Sequence, residues 1–194
     1  MKQETIRTFI AIEIPDEIQA KLVEIQTDLA KFMPRVSWVK RGNIHLTLKF
    51  LGDIGANQIE SINSVLQGVA ESHSSFDMNL TGIGVFPELR RPRVIWIGIT
   101  RGAEQAIQLA EAVSNSLQPL GFQPEKRGFT PHLTLARIRN PVNLQNVSSK
   151  FTQYDNLDIP TLKVDEIVFI RSQLHPQGSI YTPLKKFALK RNSR

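Results

Sequence analysis

Alternation opens the chain: Ile10, Ile12 and Ile14 fall on one side and Phe9, Ala11 and Glu13 on the other, which predicts a strand over residues 8–14. Pro15-Asp16 then starts a helix that runs to about Phe32. Residues 36–39 and 44–51 read as two strands linked by the turn Lys40-Arg41-Gly42-Asn43, with Gly52-Asp53 ending the second. Apolar positions Ile59, Ile62, Val65, Leu66 and Val69 recur by threes and fours, so residues 57–72 form a helix. Strands follow at 76–86 and 93–100, joined through the loop 87–92. A helix over 102–117 carries Ala106, Leu109, Ala110, Val113 and Leu117 on one face, and Pro119 and Gly121 stop it. The remainder reads as a strand at 132–138, a short helix near 143–151, and strands at 162–172 and 180–189. The first half is β-α-β-β-α, and the second broadly repeats that order.

The repetition extends to the residues themselves. His-Leu-Thr-Leu occurs at His45 to Leu48 and again at His132 to Leu135. In a strand, side chains two apart share a face, so each copy offers an imidazole and a hydroxyl together while its leucines point into a core. Lys40-Arg41-Gly42 precedes the first copy and Lys126-Arg127-Gly128 the second at nearly the same spacing, which suggests an internal duplication with one inserted residue. A duplicated α+β unit places the two strands about a pseudo-twofold axis with both His-Thr faces lining one cleft.

Composition narrows the setting. With 194 residues and 41% hydrophobic content, the chain suffices for one large domain or two small lobes. No apolar run approaches the ~20 residues of a membrane span, and the amino terminus leads into a strand pattern instead of a signal peptide, so a cytoplasmic protein without a membrane partner is expected. The absence of cysteine removes disulfides, thiolate ligands and a thiol nucleophile. The net charge of +6 suits a phosphate-bearing partner. Lys185, Lys186, Lys190, Arg191 and Arg194 concentrate that charge in residues 185–194, read as a solvated basic tail, and the rest of the chain is close to neutral.

Two imidazoles in one cleft form an acid–base pair, since one can accept a proton while the other donates one. In-line displacement at phosphorus fits best: one group activates the entering oxygen and the other protonates the departing one. Thr47 and Thr134 would hydrogen-bond the non-bridging oxygens, and neither metal nor cofactor is called for. A single His-x-Thr would read as a half-buried structural histidine; two matched copies favour a site. Zinc is the competing use of the histidines, but neither copy has a second His or carboxylate at ligand spacing. No Gly-x-Ser-x-Gly elbow supports a serine nucleophile. His73 and His175 read as a helix-end and a turn residue. Strict alternation turns Arg137 away from His132, so only a twist or bulge would bring it to a phosphate. Lys49 shares the parity of His45 and Thr47 and is a candidate cation at the cleft edge. Phe50, Phe129 and Tyr181 are candidates for stacking on bases or for the core.

These residues resemble the two-histidine phosphoesterase superfamily, and within it the RNA 2′,3′-cyclic phosphodiesterases, also called LigT-like proteins or 2′-5′ RNA ligases. The resemblance rests on both His-x-Thr copies, on Arg7-Thr8-Phe9-Ile10-Ala11, Trp38-Val39, Pro92-Arg93-Val94-Ile95-Trp96-Ile97-Gly98, and on Phe129-Thr130-Pro131 leading into the second copy and Arg137. It implies one bilobal α+β domain over 1–194, mainly antiparallel sheets flanked by helices around a central cleft, with two interleaved lobes. It also implies hydrolysis of a terminal RNA 2′,3′-cyclic phosphate to a 2′-phosphomonoester by a monomer, with His45 as proton donor and His132 as proton acceptor. The implied partners are RNA ends such as tRNA fragments, and the same residues would support ATP-independent 2′-5′ joining. A phosphodiesterase of small cyclic nucleotides or 2′-5′ oligonucleotides, or a non-catalytic RNA-binding module, are the alternative readings.

Overall fold

The computed structural model describes residues 5–33, 36–125, 128–140, 143–176 and 178–191. Ten strands and four α-helices follow in order: β1 (Thr5–Glu13), α1 (Asp16–Ala30), β2 (Ser37–Trp38), β3 (His45–Gly55), α2 (Ile59–Ser72), β4 (Phe76–Met78), β5 (Leu80–Phe86), β6 (Val94–Ile99), α3 (Ala103–Ser116), β7 (His132–Arg137), α4 (Ser148–Phe151), β8 (Leu162–Val164), β9 (Glu166–Gln173) and β10 (Ile180–Ala188). The strands form two antiparallel four-stranded sheets, ordered β10-β9-β1-β3 and β2-β7-β6-β5, and a small β4-β8 pair.

The alternation in β1 decides the layering. Ile10 and Ile12 join the main core with Leu22, Leu29, Leu66 and Leu109 from the helices. Phe9 and Ala11 point to the opposite face, where Val168, Ile170 and Tyr181 complete a second apolar cluster. That second cluster is the floor on which His45 rests, its ring centroid 4.7 Å from that of Phe9.

The duplication is visible in the strand exchange. β5 of the first half lies in the sheet of β6 and β7, and β9 of the second half lies in the sheet of β1 and β3. Apart from those two sheets, β4 and β8 pair symmetrically with each other, with Phe76 opposite Val164, Asp77 opposite Lys163 and Met78 opposite Leu162. The pseudo-twofold axis therefore passes beside Asp77 and Lys163.

Several boundaries differ from the expected ones. Residues 76–86 and 162–172 are each two strands, because β4 and β8 pair with one another while β5 and β9 cross into opposite sheets. Gly52 does not end β3: with φ of 74° it sits at a register shift, and the strand continues to Gly55. The strands flanking Lys40-Arg41-Gly42-Asn43 enter different sheets. The basic segment is only partly a tail, since Lys185 and Lys186 belong to β10. Lys186 bridges Glu13 and Glu166 at 2.7 Å each, which pushes its ammonium up to about 12. Arg194, Lys126 and Arg127 lie outside the described residues. Among the described residues no helix is long and apolar enough to cross a membrane.

Candidate active site

Each His-Leu-Thr-Leu copy is the start of a strand, β3 or β7, and in each the second leucine is bulged out of register. On β3, Thr47 pairs with Ala11 and Lys49 with Ile10, leaving Leu48 without an opposite residue. On β7, Thr134 pairs with Trp96 and Ala136 with Ile95, leaving Leu135 in the same position. A bulge reverses the parity of everything after it. Arg137 thereby reaches the cavity with His132 and Thr134, which strict alternation forbade. Lys49 loses the face it was expected to share: it is 3% exposed, and its ammonium donates to Ser114 Oγ at 3.0 Å and the Gln123 carbonyl at 2.9 Å. Burial lowers the pKa of that ammonium, and the Glu125 carboxylate opposes the shift. The exposed position passes to Phe50, the counterpart of Arg137 in the first copy.

The two imidazoles are oriented by the same device. His45 Nδ1 lies 2.8 Å from the Asn43 carbonyl and His132 Nδ1 lies 2.7 Å from the Thr130 carbonyl, each two residues upstream. A carbonyl only accepts, so Nδ1 carries the hydrogen in both rings and Nε2 is left for proton transfer. Burial pushes His45 down to about 4, the Asn43 hydrogen bond works against this, the Arg137 guanidinium lowers it further and Glu13 raises it. His132 is likewise lowered by burial, supported by the Thr130 carbonyl and lowered again by Arg137. One guanidinium thus acts on both imidazoles, which is what a cation between them would do.

His45, Thr47, His132, Thr134 and Arg137 line one cavity of about 610 Å³. Its volume lies in the range of small-molecule and cofactor sites. Tyr181 closes the first side, edge-on to His45 at 5.2 Å and to Phe9 at 5.1 Å. Phe86, which the sequence reading passed over, does the same to His132 at 5.0 Å, backed by Trp96. Phe50, Phe129 and Lys49 also border the cavity, together with Glu111, Ser114 and Asn115 of α3. His73 and His175 are not part of its lining. Among the described residues no three His, Asp or Glu side chains gather as a metal site.

Gln26 was also missed. It is buried on α1, and its amide donates to the carbonyls of Val39 at 2.9 Å and of the bulged Leu135 at 2.8 Å. Gln19 is its partner on the same helix face and accepts from the Gly42 backbone N–H. Two glutamines on the apolar face of a helix were the available signal, because a buried amide must find partners.

Comparison with known proteins gives a consistent picture. The family model described as LigT like Phosphoesterase matches twice, over residues 12–96 and 97–181, so each match holds one His-x-Thr copy. A protein of Methanothermobacter thermautotrophicus named RNA 2′,3′-cyclic phosphodiesterase is 31% identical over 184 residues, covering 95% of this chain and 99% of that protein. The crystal structure of TT0787 of Thermus thermophilus aligns with a TM-score of 0.78 and 29% identity, over 96% of this chain and 100% of that one. The crystal structure of E. coli LigT complexed with 3′-AMP aligns with a TM-score of 0.75 and 28% identity, over 96% and 99%.

Proposed function

The chain belongs to the LigT-like phosphoesterase family, and from that premise we propose that it opens a terminal 2′,3′-cyclic phosphate on RNA, such as a tRNA fragment in the cytoplasm, to a 2′-phosphomonoester. The observation that carries this reading is the pair of bulged strands that bring two Nδ1-anchored imidazoles, two threonines and Arg137 to one cavity. The names of its relatives point the same way, and E. coli LigT has been crystallised with a nucleoside monophosphate.

In the proposed reaction the cyclic phosphodiester anion is held by Arg137, Thr47 and Thr134. Its charge opposes that of Arg137 and raises both imidazoles from their depressed values, so that one can carry a proton in the complex. His132 Nε2 takes a proton from water as the water oxygen bonds to phosphorus. The bond from phosphorus to the 3′ oxygen breaks, and His45 Nε2 donates its proton to that oxygen. His45 is the more strongly depressed in the free protein, so its role as donor depends on the substrate anion. An RNA 5′-hydroxyl in place of water gives a 2′-5′ linkage by the same proton transfers. Phe50 and Tyr181 offer aromatic surfaces to the terminal base, and Lys49 braces the first catalytic strand.

The test is turnover of a short RNA ending in a 2′,3′-cyclic phosphate, in the presence of EDTA, with identification of the product. A 2′-monophosphate is expected, and His45→Ala and His132→Ala are each expected to lower the rate about a hundredfold or more while remaining folded. A 3′-monophosphate, or near-normal turnover by either variant, would overturn the assignment.

A further inference from the structure

Apart from the Asn43 carbonyl, the Lys40-Arg41-Gly42-Asn43 turn takes no part in the reaction above, yet several hydrogen bonds hold it in place. Asn43 N–H donates to the Lys40 carbonyl at 2.9 Å, closing the turn, and Gly42 supplies its φ of 86°. Gln19 holds the Gly42 N–H, and the Asn43 side-chain amide donates to the Ser179 carbonyl at 2.8 Å, which ties the turn to the segment entering β10. The carbonyl of Asn43 is the one that orients His45.

Between this turn and β10 lies a groove of about 320 Å³ lined by Lys40, Arg41, Asn43, His175, Ile180 and Tyr181, among others. Asn43 and Tyr181 also line the catalytic cavity, so the two adjoin each other. Among the described residues no carboxylate lines the groove. Arg41 is paired with Asp16, whereas no described carboxylate forms an ion pair with the exposed Lys40. Ile180 is 51% exposed beside Tyr181, an apolar surface next to a cation. Nucleic acid uses that combination: phosphate on the cation, base on the apolar or aromatic face.

We infer that this groove is the subsite for the nucleotide preceding the cyclic end, with Lys40 on the connecting phosphodiester and Ile180 against its base. The inference rests on the proposed RNA-end chemistry and specifies how a polynucleotide is told from a free cyclic nucleotide. Arg90, Arg91 and Arg93 of the β5–β6 loop, and Arg139, whose carbonyl accepts from Arg93, are further cationic residues that lie outside the linings of both cavities.

The experiment compares kcat/KM for a short RNA ending in a 2′,3′-cyclic phosphate with that for the corresponding cyclic mononucleotide, in wild type, Lys40→Glu and Arg90→Ala/Arg91→Ala. Lys40→Glu is expected to lower the preference for RNA about tenfold and to reduce the slope of log affinity on log salt by about 1. Equal losses on both substrates, an unchanged preference, or a loss confined to the Arg90/Arg91 variant would overturn it. Wild type inactive on both substrates would overturn the proposed function instead. Anisotropy measurements of RNA binding to wild type and Lys40→Glu then still test the groove, equal affinities counting against it.

Discussion

Arg137 stands beyond the unpaired Leu135 on β7, and its charge lowers both imidazoles. Removing that charge raises both. A base works only when neutral, so kcat/KM falls as pH drops through the base's value in the free enzyme. Arg137→Ala should therefore move the acid limb of the kcat/KM profile to higher pH and cost roughly 10²-fold in rate, as loss of a transition-state donor does. Arg137→Lys should restore the position of the limb, and a pH profile of the three proteins checks this. His45, Thr47, His132 and Thr134 were legible in the sequence because alternation holds between two residues of one strand. Arg137 was legible only on the condition of a bulge, because that bulge is stabilised from elsewhere: the Leu135 carbonyl is taken by Val39 N–H and by Gln26 of α1. Local periodicity carries no trace of such partners.

Among the elements, the β5–β6 hairpin shows how backbone shape supports the rings behind His132. Gly84 faces Trp96 across the ladder, and a Cβ there would run into the indole. Gly84→Ala must displace Trp96, which packs on Phe86 and against His132. A loss of ~1–3 kcal/mol in stability is expected, with a fall in kcat, read from urea unfolding and turnover. Gly68, inside α2 with open space where its Cβ would be, supplies the contrast: Gly68→Ala should stabilise by ~0.5–1 kcal/mol and leave kcat alone. The three long helices were predicted to within two residues at each end, since a 3.6-residue period is an internal property, whereas of the short helix expected near 143–151 only Ser148–Phe151 is α-helical. The split of 76–86 into β4 and β5 was hidden, because which sheet a strand joins depends on a partner far along the chain.

For the whole molecule, the duplication was legible from two tetrapeptides and their basic approaches, whereas the exchange of β5 and β9 between sheets was not. That exchange predicts mutual dependence of the halves. Fragments 1–90 and 91–194, divided in the exposed loop between β5 and β6, should each lack cooperative unfolding alone and should recover circular dichroism and turnover when mixed. Independent folding of either fragment would contradict the arrangement. The crossed strands also bear on how substrate enters. Many enzymes with a central cleft close by swinging two bodies about a hinge on the microsecond to millisecond scale, and that motion often limits turnover. Here the β1–β9 and β5–β6 ladders each lie inside one sheet, so each jaw is stitched from both halves of the chain and a swing between the jaws leaves those ladders intact. At the rim of the cleft the exposed Phe50 reorients within nanoseconds, well ahead of any swing of the jaws themselves.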